Sequence, residues 1–455
     1  MHIVIVGVGK IGSIICKELA DEHDVVVIEQ NADKLESFIN TTDVTGIAAS
    51  GVDVDALQSA DTAHADVFIA VTAQDEINII SCIFAKQMGA KYTIARIREH
   101  EYTAHQSFIK ESIGIDAIIN PERESARQIT SLLRFPATTR VESFVRGRIN
   151  IVEYPLPQDH PFVGQTLAEF QNQFKEHVLV VIVERNGQAI IPKGNFRLQA
   201  GDIIHVSGSS AEILNFFLRD GKGKRNRRVK SLMIIGAGRL THYLLREIEQ
   251  GSTKYHIKVL ENNRKTAELL AQLHPNVEFV FADGSNYRSL EEEGISGYDC
   301  LIALTGIDEE NILFSFFAAS QTVPTVISKV NRTEFAQLAA KLGLDCIVSP
   351  KKAMSNMLVR YARALENTSG SNVETLYKLM DSSAEAAEFI AHEGSRGIGI
   401  ALRDLRLRRG VLVAGIIRDR RPIIPTGDDM ILDGDRVVVI ASGMCLRDLS
   451  DIFER

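Results

Sequence analysis

Three glycines set the chemistry this 455-residue chain can attempt. Gly7, Gly9 and Gly12 stand at G-x-G-x-x-G spacing, with Val8, Lys10 and Ile11 between them, and Glu29 follows roughly twenty residues on. In that pattern Gly7 permits a tight turn, Gly9 lets the backbone approach a pyrophosphate, and Gly12 lets helix pack close to strand. A helix starting there turns unpaired N–H groups and its positive dipole end toward the phosphates. Glu29 can accept hydrogen bonds from ribose hydroxyls and would repel a 2′-phosphate. The same glycines without a ligand would be an ordinary turn in an α/β protein, and context separates the two cases.

The elements that must position these residues are legible around them. Ile3 to Val6 is an apolar, β-branched run of buried-strand length, Ile11, Ile14, Ile15 and Leu19 share one helical face, and Val25 to Ile28 closes on Glu29. Strands and helices then alternate: helix Asp33 to Ile39, VTGIAASG ending at Ser50-Gly51, a short helix Val54 to Ala60, strand Val67 to Val71 running into Thr72-Ala73, helix Ile77 to Met88, and YTIARIRE with Arg96 and Arg98. Such alternation predicts a doubly wound parallel sheet, whose ligands sit at the carboxyl ends of the strands. The glycine turn, Glu29, Ser50, Gly51, Thr72, Ala73 and Arg96 all fall at those ends. A helix from Pro121 to about Leu133 follows, and from Val141 the texture becomes short alternating strands with an Asn186-Gly187 hairpin signal. One helix precedes those strands (Leu167 to Phe174) and one follows (Ala211 to Leu218), which predicts a small α+β domain.

The chain then starts again. Gly236, Ala237 and Gly238, with Arg239 and Leu240 after them, repeat Gly7, Val8 and Gly9, and Glu261 ends the next strand as Glu29 does. Asp283-Gly284 answers Ser50-Gly51, DCLIALTGIDEEN answers DVFIAVTAQDEIN and places Thr305 opposite Thr72, and Lys329 stands where Arg96 stood. PIIPTGDDMILDGDRVVV repeats AIIPKGNFRLQAGDIIHV. The expected architecture is a tandem duplication: two Rossmann-like doubly wound domains, each followed by a small α+β domain. Its expected segments are 1–138, 139–221, a basic linker 222–228, 229–368 and 369–455. The second glycine turn (lobe two) differs from the first (lobe one) at Thr241, which stands where the third glycine should be. A β-branched side chain there is expected to widen the helix–strand contact or tilt the helix, leaving lobe two to bind a different nucleotide or none.

Composition narrows the functional class. A net charge of −8 gives no global reason to expect nucleic acid, and no apolar run reaches the roughly eighteen residues of a membrane span. A first strand at residue 2 leaves no room for a signal peptide. The five cysteines form no C-x-x-C pair, so reduced core residues are expected and a metal site is not. The basic run carrying Lys222, Lys224, Arg225, Arg227, Arg228 and Lys230 reads either as a solvated linker or as a docking element for an acidic protein face or anionic headgroups. Tyr-x-x-x-Lys, G-x-x-x-x-G-K-[ST], H-E-x-x-H and G-x-S-x-G do not occur, and His23, His64 and His205 have no histidine counterpart in the second half. No catalytic residue is assigned, although an NAD-dependent oxidoreductase stays open because fold alone does not fix function.

GVGKIG, the terminal Glu29, AVTAQDEIN, IARIR and the IIPKGNFRLQAGD module together resemble the KTN/RCK nucleotide-binding and RCK C-terminal domains, in N–C–N–C order over essentially the whole chain. The resemblance implies binding of NAD(H) and of ATP or ADP, with contacts from Gly7 to Ile11, Glu29, Ser50, Gly51, Thr72, Ala73 and Arg96. Its lobe-two set is Gly236 to Leu240, Glu261, Asp283, Gly284, Thr305 and Lys329. Ser50 departs from the acid or amide the family often has there. Further implications are a ring-like homo-oligomer (dimer or tetramer) at the inner face of the cell membrane, and a membrane-embedded potassium transporter subunit that nucleotides regulate through it. The stretch Pro121 to Leu133 would carry the crossing helix by which lobes pair. Arg96, with Arg98, would distinguish ATP from ADP at the distal phosphates. A regulator of potassium efflux or antiport is the alternative; duplication without a membrane domain favours uptake.

Overall fold

The computed structural model describes residues 1–20, 23–99, 102, 113–135, 138, 140–145, 147–173, 178–219, 228–282, 287–344, 346–354, 357–358, 373–379, 384–444, 446 and 448–454. Asp283, Gly284, Cys445 and the basic run from Lys222 to Arg227 lie outside the described residues. The chain divides into two units, Met1–Ser125 with Ser349–Glu366, and Ala126–Val348 with Asn367–Arg455.

The first unit is built on β1 (His2–Val6), β2 (Asp24–Glu29), β3 (Thr45–Ala48), β4 (Val67–Ala70), β5 (Tyr92–Arg96) and β6 (Ala117–Ile119), in the order β3-β2-β1-β4-β5-β6. Every neighbour is parallel. β1 and β4 are apolar on both faces because helices cover both, and Ile3, Val4, Ile5 and all of Val67–Ala70 are fully buried. Helices Gly12–Leu19, Ala32–Ile39, Val54–Ser59 and Asp75–Met88 make the crossovers. The strand order reverses between β1 and β4, where Val6 pairs with Ala70, and that switch point opens a crevice at the carboxyl ends. One face of this core includes Met354 and Leu358, packed with Ile3, Ile5, Ile94 and Ile119.

The second unit begins inside helix Pro121–Arg134. Its Ala126, Ile129, Leu132 and Leu133 form one apolar face and lie in a core with Leu232, Ile234, Ile302 and Val348. Next come β7 (Val141–Phe144), β8 (Ile149–Pro155), β9 (Leu179–Arg185), β10 (Gln188–Ile190) and β11 (Ile203–Gly208), antiparallel in the order β10-β9-β11-β8-β7. The Asn186-Gly187 hairpin is present, with both residues at positive φ (53° and 76°). Helices Leu167–Gln173 and Ser210–Arg219 flank these strands.

The parallel theme returns in β12 (Ser231–Ile235), β13 (His256–Glu261), β14 (Glu278–Phe281), β15 (Cys300–Ala303), β16 (Thr325–Lys329) and β17 (Cys346–Val348), ordered β14-β13-β12-β15-β16-β17. The chain ends in β18 (Val373–Leu379), β19 (Ala384–Ile390), β20 (Val411–Arg418), β21 (Arg421–Ile423) and β22 (Arg436–Ser442), whose order β18-β19-β22-β20-β21 repeats the first small sheet. The small sheets pack against each other through Phe144, Ile149, Ile151 and Ile182 on one side and Ala386, Ala414, Ile417 and Ile440 on the other. Gly415 leaves room there for the Ile149 side chain, whose Cδ1 would stand 2.3 Å from a Cβ at that position.

Each parallel sheet is therefore followed in sequence by a helix that completes the core of the other one. Residues 126–134 serve the second sheet, and Met354 and Leu358 serve the first. The amphipathic run from Pro121 is the expected helix, and its partner surface is the second sheet.

Candidate functional site

In lobe one the crevice is assembled from five strand ends. Gly7 takes φ +100° and donates its N–H to the Ile28 carbonyl at 2.8 Å, turning the chain tightly off β1. A Cβ on Gly7 would meet Thr72 backbone at 3.1 Å, and one on Gly12 would stand 1.9 Å from the Gly7 carbonyl oxygen. Gly9 is different: no atom lies within 4 Å of where its Cβ would be. That open space beside exposed Lys10, at the entrance of helix Gly12–Leu19, is the cradle a pyrophosphate would occupy.

Glu29 is pulled into the turn. Its Oε2 accepts from Val8 N–H at 2.7 Å and from Lys34 Nζ at 2.8 Å, and its Oε1 accepts from Asn31 N–H at 3.1 Å. Burial alone would raise its carboxyl, but Lys34 and the two N–H groups outweigh that and hold it below the usual carboxylate range. Gly51 lies against β1, where a Cβ would stand 2.2 Å from Val6 Cγ1. Ser50 begins the turn into helix Val54–Ser59, its carbonyl accepting from Asp53 N–H at 3.0 Å.

The opposite wall is held by residues whose roles the sequence did not single out. Buried Asn78 accepts from Thr72 N–H at 2.8 Å and donates to the carbonyls of Thr72 (3.3 Å) and Arg96 (2.9 Å). It thereby fixes the β4 end against the β5 end. Arg96 Nη1 donates to the Thr72 carbonyl at 3.1 Å, and Arg98 Nη2 donates to the Ala73 carbonyl. Asp75, also buried, accepts from the N–H groups of Arg98 (2.7 Å) and Glu99 (2.8 Å). The available signal was internal: Asp75 and Asn78 recur as Asp308 and Asn311 in the repeated segment.

Lobe two repeats the construction. Gly236 has φ +97° and donates to Leu260 O at 2.8 Å, and Glu261 accepts from Ala237 and Asn263 N–H groups, both at 2.7 Å. Asn311 accepts from Thr305 N–H at 2.8 Å and donates to the Thr305 and Lys329 carbonyls, while Lys329 Nζ donates to Thr305 O at 2.9 Å. Gly238 has the same open space as Gly9, Arg239 is exposed and Leu240 is buried. Thr241 stands at the place of the third glycine. Its side chain is fully buried and seated in the turn, its Oγ1 donating to Gly236 O at 2.5 Å. The helix begins at Arg239, with Gly238 as its N-cap, so the contact that Gly12 makes without a side chain is made here by a hydroxyl.

In lobe one the expected residues stand at or just beyond the carboxyl ends of β1 to β5, and lobe two repeats the arrangement, with Asp283 and Gly284 outside the described residues. Among the described residues no group of three His, Cys, Asp or Glu could hold a metal ion. The side chains around the turn are donors, acceptors and one carboxylate held ionised, a set that binds phosphate and ribose.

Fold and site together define a duplicated Rossmann-like protein, with a small mixed domain after each parallel sheet. The TrkA-N domain model matches residues 3–121 and 232–350, and the TrkA-C domain model matches residues 151–218 and 386–453. The chain belongs to the TrkA-N/TrkA-C family. It is 29% identical to the Trk system potassium uptake protein TrkA homolog 2 of Methanosarcina mazei, over 100% of both chains. It is 28% identical to the Trk system potassium uptake protein TrkA homolog of Archaeoglobus fulgidus, again over 100% of both. The solved GsuK channel bound to NAD shares the fold with TM-score 0.61 and 18% identity, covering 97% of this chain and 77% of that one.

Proposed function

We propose that this chain is a regulatory subunit of a potassium-uptake system, binding NAD(H) and ATP or ADP in its sheet crevices and passing ligand state to a membrane-embedded transporter subunit. The observation that carries the reading is the open space over Gly9, in a turn whose Val8 N–H is held by Glu29 and whose Gly7 lies against Thr72, the residue that Arg96 tethers. Family membership and the full-length likeness to Trk system potassium uptake proteins support the transport assignment. The GsuK channel bound to NAD supports the ligand class. A bound nucleotide would supply no bond chemistry here. Glu29 would orient the ribose, the turn N–H groups would hold the pyrophosphate, and Arg96 would meet a distal phosphate when one is present. The contacts carried to lobe two are Gly236 to Leu240, Glu261, Thr305 and Lys329, with Asp283 and Gly284.

Regulation follows if two ligands favour different arrangements, because only differential affinity shifts an equilibrium. Assembly into a homo-oligomeric ring has support in lobe two. Leu313 on helix Asp308–Ser320 and Leu338 on helix Thr333–Lys341, with Ile307 and Leu342 at their ends, are 50–59% exposed. No helix of the described residues is long and apolar enough to cross a membrane, so membrane association would run through the partner. The domain partition 1–138, 139–221, 229–368 and 369–455 about a linker 222–228 belongs to the same reading, with the exchanged helices crossing it.

The test is a titration of the full chain with NADH, NAD, ATP and ADP, repeated on Gly9→Asp and Glu29→Ala. Saturable binding that weakens in both variants, without NADH consumption, is expected. Steady oxidation of NADH would replace this reading with an oxidoreductase.

A further inference from the structure

The two ribose-binding acids are held alike by backbone and differently by side chain. Glu29 and Glu261 each accept one N–H from the glycine turn and one from the residue two positions on. Asn31 and Asn263 each cap the following helix, accepting from Lys34 N–H at 2.9 Å and Thr266 N–H at 3.2 Å. Lys34 and Thr266 therefore occupy the same place on matching turns. Lys34 Nζ reaches Glu29 Oε2 at 2.8 Å, with the lysine side chain 45% exposed and the glutamate 12%. Thr266 has no charge to offer, and among the described residues Glu261 has no cation within ion-pair distance.

A lone carboxylate at this position repels a 2′-phosphate, whereas a nearby cation accommodates it. In lobe one the carboxylate's charge is offset by an ammonium at the crevice's solvent edge, and that ammonium keeps further donors for an incoming phosphate oxygen. We propose that lobe one admits an adenine dinucleotide phosphorylated on the 2′ oxygen of its adenosine ribose, with Lys34 as the selecting residue, while lobe two admits only the unphosphorylated form. This rests on the reading that Glu29 and Glu261 face the ribose.

Each lobe can be read in the full chain by silencing the other. Asp at Gly238 or Gly9 would project into open space, so the fold is spared while the pyrophosphate cradle is filled. In Gly238→Asp protein, NADH and NADPH titrations followed by nucleotide fluorescence are expected to agree within about tenfold. Adding Lys34→Met should weaken NADPH by about tenfold or more and NADH by less than about threefold, the loss of one charge-assisted contact. In Gly9→Asp protein NADPH should be rejected, and Thr266→Lys should narrow the gap. Equal losses of NADH and NADPH on Lys34→Met, or equally strong rejection of NADPH by both lobes, would overturn the proposal while leaving nucleotide binding intact. If Gly238→Asp protein bound neither dinucleotide, the ribose reading itself would fall, and the proposal with it.

Discussion

Lobe one and lobe two reach the same crevice by different means. Lobe one closes its turn with a bare Gly12 against the Gly7 carbonyl, and lobe two closes it with the Thr241 hydroxyl on the Gly236 carbonyl. Lobe one neutralises its acid with Lys34 and presents a guanidinium at Arg96; lobe two, among the described residues, holds Glu261 by backbone N–H groups without a cation and presents the ammonium of Lys329. What stays unchanged is the frame of Asn78 and Asn311, and of Asp75 and Asp308, which accept from backbone N–H groups in both halves. The frame holds the strand ends, so the residues it presents were free to diverge. Glycine is one solution to the close helix–strand contact, and a threonine that brings its own donor is another.

The turn comparison breaks most sharply at Gly12→Thr, which is expected to cost about 3 kcal/mol or more, because the new Cβ overlaps the Gly7 carbonyl. Thr241→Gly should cost only about 1–2 kcal/mol, from one buried hydrogen bond and added chain entropy. Urea unfolding of both variants would reverse the argument if the second cost exceeded the first. The frame comparison predicts similar losses for Asn78→Ala and Asn311→Ala, about 2–3 kcal/mol each, since each strands buried backbone groups at two strand ends. A large loss in one lobe only would mean the two frames are not equivalent.

The small domains offer a comparison by pH. His205 on β11 is fully buried, and Val438 holds the matching place on β22. Burial, with the Arg140 guanidinium nearby, pushes the imidazole down from 6.5 to about 3. The unfolded chain binds this proton below pH 6.5 and the folded chain does not, so stability is full above 6.5 and falls as pH drops toward 3. From pH 7 to pH 5 the loss is on the order of 2 kcal/mol. His205→Val should flatten that slope in denaturation curves taken across the range. The smallest expected effect is at Arg96: Arg96→Ala should reduce the preference between ATP and ADP by about tenfold, more than Lys329→Ala does, because a guanidinium can grip a phosphate bidentately. Unchanged ATP and ADP affinities in Arg96→Ala would remove this residue from the site.

Much of this was readable in the residue string. The period of the apolar runs, the glycine spacing and the terminal Glu29 specify strand, turn and helix locally, and the repetition from Leu232 onward made the architecture a duplication. Asn78 and Asp75 were harder, because a buried polar residue in a helix looks like a surface one until its partners on neighbouring strands are known. Lys34 was hidden for a similar reason: its contact with Glu29 spans a strand end, a cap and the first turn of a helix, which no periodicity encodes. The helix exchange was only half legible. The apolar face of Pro121–Arg134 says that the helix is covered, and the pattern of one helix does not name the sheet that covers it.

That exchange bears on how the chain is made. The first sheet leaves the ribosome with one face of its core incomplete, and the residues that finish it, Met354 and Leu358, are synthesised only after the whole second sheet. Contacts so distant in sequence form late and slowly. A nascent chain stalled after Val348 would hold a finished glycine turn on an unfinished core, a species for chaperones and proteases to contend with.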